Sequence, residues 1–248
     1  MRYLLTMRFC GGKYHGWQVQ QNAVTVQQTV QDALERVFGR RPDLTGCSRT
    51  DSGVHANMFC AHFDMDTDIP AKRMPAALNA HLPEDIAVYG CRTVRPDFHA
   101  RYSASGKGYV YKILSSPYRD PFLTGRAYHI KQHLDIEAMS AAAACFAGRH
   151  DFAAFCSAGS SVESTVREVF GAAVEQHGEL IEFSVHADGF LYNMVRIMAG
   201  TLIDIGCMRL RPDSVGDIIA SCERNRAGFT APPHGLYLNR VYYDDNSF

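Results

Sequence analysis

No stretch of this 248-residue chain approaches the roughly 20 consecutive apolar residues that a membrane-spanning helix requires. Residues 1–8 have no apolar core of the signal-peptide kind, so a cytoplasmic protein without a membrane partner is expected. The 8 cysteines include no Cys-x-x-Cys pair, which argues against a zinc ribbon and a dense disulfide framework and leaves reduced core thiols as the expected state. The formal net charge of −1 supplies no global attraction to nucleic acid, so any such partner needs a local patch. Gly106-Lys107 does not open a phosphate loop, because Arg101 stands where that motif needs its first glycine and Gly108 where it needs a hydroxyl. No glutamate follows His129, and His129 with His133 would form a metal pair only on a helix, so no metal is expected. The strand-elbow-helix serine motif of hydrolases and the RNP motif of paired RNA-binding domains are absent as well.

With 46% hydrophobic and 21% charged residues, the chain can bury one large core or two smaller ones. The charges are uneven. Asp64, Asp66 and Asp68 form one acidic run and Asp244 with Asp245 another. Arg92, Arg95, Arg101, Lys107, Lys112, Arg119 and Arg126 form a basic stretch, either a solvated face or the local patch that a polyanion would need.

Tyr3, Leu5, Met7 and Phe9 alternate with more polar neighbours, the period-two signature of a strand with one buried face. Val26, Val30, Leu34, Val37 and Phe38 then share a helical face behind Thr25 and Gln28, which have capping-box spacing, and Gly39 stops the helix. Strands are expected over 44–47 and 58–64, the second with Phe59, Ala61 and Phe63 on one side, followed by a short helix over 71–79 and a strand over 86–94. The second half repeats the order: a strand through Tyr109, Tyr111 and Ile113, a helix through Ile136, Met139, Ala143 and Phe146 that ends at Gly148, and strands over 166–175 and 180–186 with a turn near His177-Gly178. An apolar helix over 191–205, a short helix from Pro212 and a strand over 236–243 complete it. The expected fold is α+β, with two ferredoxin-like (β-α-β-β-α-β) subdomains at 1–103 and 104–248, whose antiparallel sheets join into one larger sheet with helices on one face. The other face would make a bed for an extended or helical polymer.

The segment Ser48-Arg49-Thr50-Asp51-Ser52-Gly53-Val54-His55-Ala56 lies in the connection between two of these strands. Asp51 stands between an arginine and a glycine, so its carboxylate can be charged, positioned and closely approached; a plain surface turn is the competing reading. Arg196 is the sole charge in Leu191-Tyr192-Asn193-Met194-Val195-Arg196-Ile197-Met198-Ala199-Gly200 and needs a carboxylate, a phosphate or water, unless it sits on the exposed edge of its helix. Asp51 is a candidate partner. Lys107-Gly108-Tyr109-Val110-Tyr111-Lys112 sets two tyrosines on one strand face beside basic groups, suited to stacking on a base or to packing in a core.

Taken together these segments resemble the TruA family of tRNA pseudouridine synthases over nearly the whole chain. The segment around Asp51 is similar to the family's Gly-Arg-Thr-Asp-Ala-Gly-Val-His-Ala box, with Ser48 and Ser52 replacing small residues. Gly16-Trp17-Gln18, Leu78-Asn79 with Leu82-Pro83-Glu84-Asp85-Ile86, Phe98-His99-Ala100-Arg101 and His150-Asp151-Phe152 resemble further blocks in the same order. So do Asn193-Met194-Val195-Arg196, Ala227-Gly228-Phe229-Thr230-Ala231-Pro232 and Gly235-Leu236-Tyr237-Leu238. Phe9-Cys10-Gly11-Gly12 departs from the family's frequent Tyr-Asp-Gly-Thr; a thiol replaces neither the charge nor the hydrogen bonding of a carboxylate, so no binding role carries onto Cys10.

The resemblance implies isomerisation of uridine to pseudouridine in the anticodon stem-loop, at tRNA positions 38, 39 and 40, by a homodimer that binds one tRNA across both subunits without cofactor or metal. It assigns catalysis to Asp51, Tyr109 and Arg196 and substrate binding to Arg49, Tyr109 and Leu236. Arg49 would fill the gap left by a flipped uridine, Tyr109 would stack on the base, Arg196 would pair with Asp51, and Leu236 would wall the pocket against water. A non-catalytic tandem ferredoxin-like RNA-binding protein is the main alternative; a glycosidase-like hydrolase would need a second carboxylate that no motif supplies.

Overall fold

The computed structural model describes residues 1–159 and 162–244; Asp245 of the terminal acidic pair lies outside them. Contacts divide the chain into two compact units, Met1–Ser105 together with the closing segment from Tyr237, and Gly106–Leu236.

The first unit follows the β-α-β-β-α-β order: β1 (Arg2–Phe9), α1 (Val26–Phe38), β2 (Thr45–Gly46), β3 (His55–Asp64), α2 (Met74–Asn79) and β4 (Ile86–Val94). β1 is central, antiparallel to β3 on one side and to β4 on the other. α1 begins where the sequence predicts, because the Thr25 hydroxyl accepts from the Gln28 N–H at 3.4 Å. It stops at Gly39, whose φ of 71° suits a residue without a Cβ. The helices cover the sheet face that carries Phe59 and Phe63: Phe38 of α1 lies 6.0 Å from Phe63, and Trp17, just before α1, stacks on Phe59 at 4.1 Å.

β1 departs from the expected single buried face, since Leu4 is as buried as Leu5. Leu4 pairs with His62, which by alternation points away from Phe63 toward the face opposite the helices. There the 98–100 segment crosses the sheet: His62 Nδ1 accepts from the Ala100 N–H at 3.1 Å, and the Phe98 ring stands edge-on to His62. Burial pushes the His62 imidazole down to about 4, so it remains a neutral acceptor at neutral pH.

The second unit comprises β5 (Ala104–Ser115), β6 (Tyr128–Ile130), α3 (Ile136–Ala144), β7 (Gly148–Asp151), β8 (Val166–His177), β9 (Leu180–Ala187), α4 (Met194–Gly206) and α5 (Ser214–Ser221). Its sheet runs β5-β9-β8-β7 with every neighbouring pair antiparallel, and β6 lies parallel to β5. β6 and β7 are additions to the expected order, too short to show a period. β8 turns into β9 through Gly178 at φ 64°. α3 and α4 pack on each other, and the core beneath them gathers Phe146, Phe155 and Phe183, with Phe146 edge-on to Phe155 at 5.2 Å. α4 starts three residues later than its apolar run suggests, because Asn193 takes a φ of 61° that no helix interior accepts.

The last strand, β10 (Leu236–Tyr243), runs parallel to β3, with Tyr237 opposite His55 and Leu238 opposite Ala56. Among the described residues, no helix is long and apolar enough to cross a membrane.

Candidate active site

Asp51 lies in the loop that links β2 to β3, where the sequence expects it. The 14–17 segment holds this loop, and the loop also closes on itself. The Trp17 N–H donates to the Thr50 carbonyl at 3.2 Å, the Gly53 N–H to the Tyr14 carbonyl at 3.2 Å, and the Val54 N–H closes the turn on the Asp51 carbonyl at 3.2 Å. α1 is tied to the same point, since its Val26 and Gln27 N–H groups donate to the carbonyls of Gly16 and Trp17. Beneath the loop His55 is buried; its Nδ1 accepts from the Gly11 N–H at 3.1 Å and its ring stacks on Tyr237 at 4.6 Å. Asp51 is therefore a half-buried carboxylate on a loop pinned by the 14–17 segment, which α1 holds in turn, and leading into β3, whose first residue stacks on β10. Arg49 shares the loop and is exposed.

Two glycines make the bracing possible. Gly53 turns the chain at φ 80°. Gly16 has φ 81°, and a Cβ there would run into the Thr50 carbonyl oxygen. Gly16→Ala is expected to displace Thr50, and Asp51 with it. Urea unfolding should report a loss of about 1–3 kcal/mol from the strained φ and the clash, together with at least a roughly tenfold slower reaction. An unchanged rate would show that the loop does not depend on this contact.

The second unit holds the remaining candidates. Of the 13 residues of α4, only Arg196 and Asp204 are not fully buried. Arg196 is half-buried rather than on an exposed edge: its Nε donates to the Ala231 carbonyl at 2.7 Å and its Nη1 to Asn193 Oδ1 at 2.7 Å. Asn193 in turn donates to Ser157 Oγ at 2.9 Å. The 227–232 segment lies close along α4, where Gly200 and Gly228 leave no room for side chains and the Gly228 N–H donates to Thr201 Oγ1 at 2.9 Å. The neighbouring carbonyl of Pro232 accepts from the Tyr111 hydroxyl at 2.8 Å. Arg196 and Tyr111 thus hold adjacent peptides of the segment leading to Leu236, which is itself buried. Burial drives the Tyr111 phenol far above the ordinary tyrosine range, so it keeps the proton that it donates to Pro232. Tyr109, two positions earlier on the same strand face, is 7% exposed and stands edge-on to Phe190 at 4.9 Å. Both tyrosines of the expected pair are buried, Tyr111 completely and Tyr109 nearly so.

The family model described as tRNA pseudouridine synthase matches residues 6–103 and 142–244. This chain belongs to the tRNA pseudouridine synthase family. It is 47% identical over 241 residues to tRNA pseudouridine synthase A of Moorella thermoacetica, covering 96% of this chain and 98% of that one. It is 46% identical over 240 residues to tRNA pseudouridine synthase A of Thermoanaerobacter sp. strain X514, covering 97% and 98%, and 46% identical over 239 residues to the protein of that name from Acetivibrio thermocellus, covering 96% and 98%. As a tRNA pseudouridine synthase, the protein is an isomerase that binds tRNA and converts uridine to pseudouridine.

Several residues of the synthase escaped sequence reasoning. His55 reads as part of a motif, but its burial under the loop and its stack on Tyr237 depend on a strand 182 positions away. Asp85 accepts from the Tyr14 hydroxyl at 2.6 Å, and its carbonyl accepts from the Cys10 N–H at 2.8 Å, so Cys10 is held through its backbone. Thr50 Oγ1 is buried without a hydrogen-bond partner beside Asp51, at a desolvation cost of about 1–3 kcal/mol. His129 lies in β6, its Nε2 2.8 Å from the Ser116 carbonyl, and so shares no helical face with His133.

Proposed function

We propose that the synthase acts on uridines of the anticodon stem-loop of tRNA, as a cytoplasmic homodimer needing neither cofactor nor metal, and that Asp51 is its catalytic carboxylate. The reaction breaks the C1′–N1 bond, turns the uracil, joins C1′ to C5, and moves the proton from C5 to solvent or a base while N1 regains one; nothing enters or leaves overall. Loss of N1 develops positive charge at C1′, which a carboxylate held at that point stabilises, as in glycoside cleavage. The observation that carries this reading is the bracing of Asp51: a half-buried acid on a loop pinned by the 14–17 segment and closed by its own turn keeps its direction without substrate to order it.

The other roles follow from chemistry. A uridine within a stem must leave its stack, at a cost of a few kcal/mol. Arg49, exposed and two residues ahead of Asp51, fills the gap. Tyr109 offers a ring to the flipped base and a phenol near C5. Arg196, whose fork is already oriented by Ala231 and Asn193, is the counter-charge assigned to Asp51. Leu236 contributes an apolar wall that excludes water, which would otherwise divert the reaction to base loss.

A map of pseudouridine in total tRNA with and without the protein tests the substrate, and tritium release from C5-labelled uridine in tRNA tests the chemistry. We expect pseudouridine to vanish from the anticodon arm alone when the protein is removed, and release by the purified protein to be unaffected by a chelator. Binding without release would favour a pure RNA-binding module, and loss of release with the chelator would overturn the metal-free reading.

A further inference from the structure

The segment Phe98-His99-Ala100-Arg101-Tyr102 carries a second set of groups outside the Asp51 loop. Its turn is closed twice, since the Ser103 N–H donates to the His99 carbonyl at 2.8 Å and Ser103 Oγ accepts from the His99 N–H at 3.0 Å. His99 Nδ1 accepts from the N–H groups of Arg101 at 3.1 Å and Tyr102 at 3.2 Å. That imidazole is therefore neutral, carries its proton on Nε2 and is oriented by both bonds. The Tyr102 ring lies against it, with centroids 4.3 Å apart and planes 30° from parallel, and the Arg101 guanidinium sits 5.6 Å from the Tyr102 centroid.

Tyr102 is nevertheless 75% exposed. An aromatic ring held this firmly with an open side is a stacking platform rather than a core residue. It borders a shallow cleft of about 220 Å³, whose walls include Gln18, Gln27, Arg49, His99 and Arg101, and no carboxylate. The cleft is smaller than an enclosed small-molecule site. It suits one group presented by a larger, negatively charged ligand. Because Arg49 belongs to the cleft and to the Asp51 loop alike, that ligand lies next to the proposed reaction centre.

We propose that this cleft is a nucleotide subsite: the base neighbouring the target uridine stacks on Tyr102, and its phosphate lies between Arg49 and Arg101. The location of the target uridine rests on the reading of Asp51 given above. Tyr102→Ala should weaken tRNA binding about tenfold, within the worth of one base–aromatic stack. Tyr102→Phe should bind like the native protein, because the ring alone is required. Arg101→Gln should lower the slope of log K against log salt by about one. A photoreactive thiouridine beside the target uridine should crosslink within the 99–102 segment. Native affinity in Tyr102→Ala, equal loss in Tyr102→Phe, or crosslinking confined to other segments would overturn the assignment. Binding is read without turnover, so the outcome is distinguishable from a failure of the Asp51 reading.

Discussion

Asp51→Asn is expected to bind tRNA with near-native affinity and to release essentially no tritium from C5-labelled uridine, a loss of about 10⁴-fold or more, equivalent to roughly 5 kcal/mol of transition-state stabilisation. The amide keeps the shape of the carboxylate but not its negative charge, so it neither stabilises the charge developing at C1′ nor attacks carbon effectively. The loop should survive the change, because several of its braces do not involve the Asp51 side chain: the Trp17 N–H on the Thr50 carbonyl, the Gly53 N–H and Ser52 hydroxyl on the Tyr14 carbonyl, and the Val54 N–H on the Asp51 carbonyl. Filter binding together with tritium release from one preparation separates the two effects. Release at the native rate would remove Asp51 as the catalyst, whereas lost binding would point to an RNA-gripping role.

Arg196→Lys should slow isomerisation about a hundredfold with little change in tRNA affinity. Arginine uses two different nitrogens at once, Nε on the Ala231 carbonyl and Nη1 on Asn193 Oδ1, each at 2.7 Å. A single ammonium cannot reproduce that geometry. The lost bonds should also lower stability by about 1–3 kcal/mol. Rates are therefore to be compared well below the melting transition, where both proteins are folded. Asn193→Ala provides a control that removes one of these bonds and keeps the charge. If Arg196→Lys turns over like the native enzyme, the two-nitrogen fork proposed opposite Asp51 is not needed; if Asn193→Ala is as slow as Arg196→Lys, orientation of the fork matters more than its presence.

Local signals accounted for much of the fold. α1 runs from the residue after Thr25 to the residue before Gly39, because a cap and a left-handed stop are encoded within a few positions. β4 and β10 occupy the expected 86–94 and 236–243. β3 begins earlier than expected, at His55, because a partner strand beside Tyr237 extends it through residues whose own pattern is polar. Leu4 is buried for a similar reason: the 98–100 segment covers the second face of the sheet, and the period of β1 contains no trace of that segment. At the start of α4 the hydrophobic run cannot reveal that Asn193 adopts a positive φ.

The sequence by itself determined the family, the alternating order of strands and helices, and the presence of Asp51 in a strand connection, since these depend on residue identity and on spacing along the chain. Only the tertiary structure decided that β10 lies beside β3, that His55 is buried under the loop, that Arg196 is oriented by Ala231 and Asn193, and that Tyr102 stands exposed on a fixed His99. Each of these joins residues by hydrogen bonds, ring contacts or close packing whose geometry depends on where the backbone runs, and that geometry leaves no period or motif in the residues it joins.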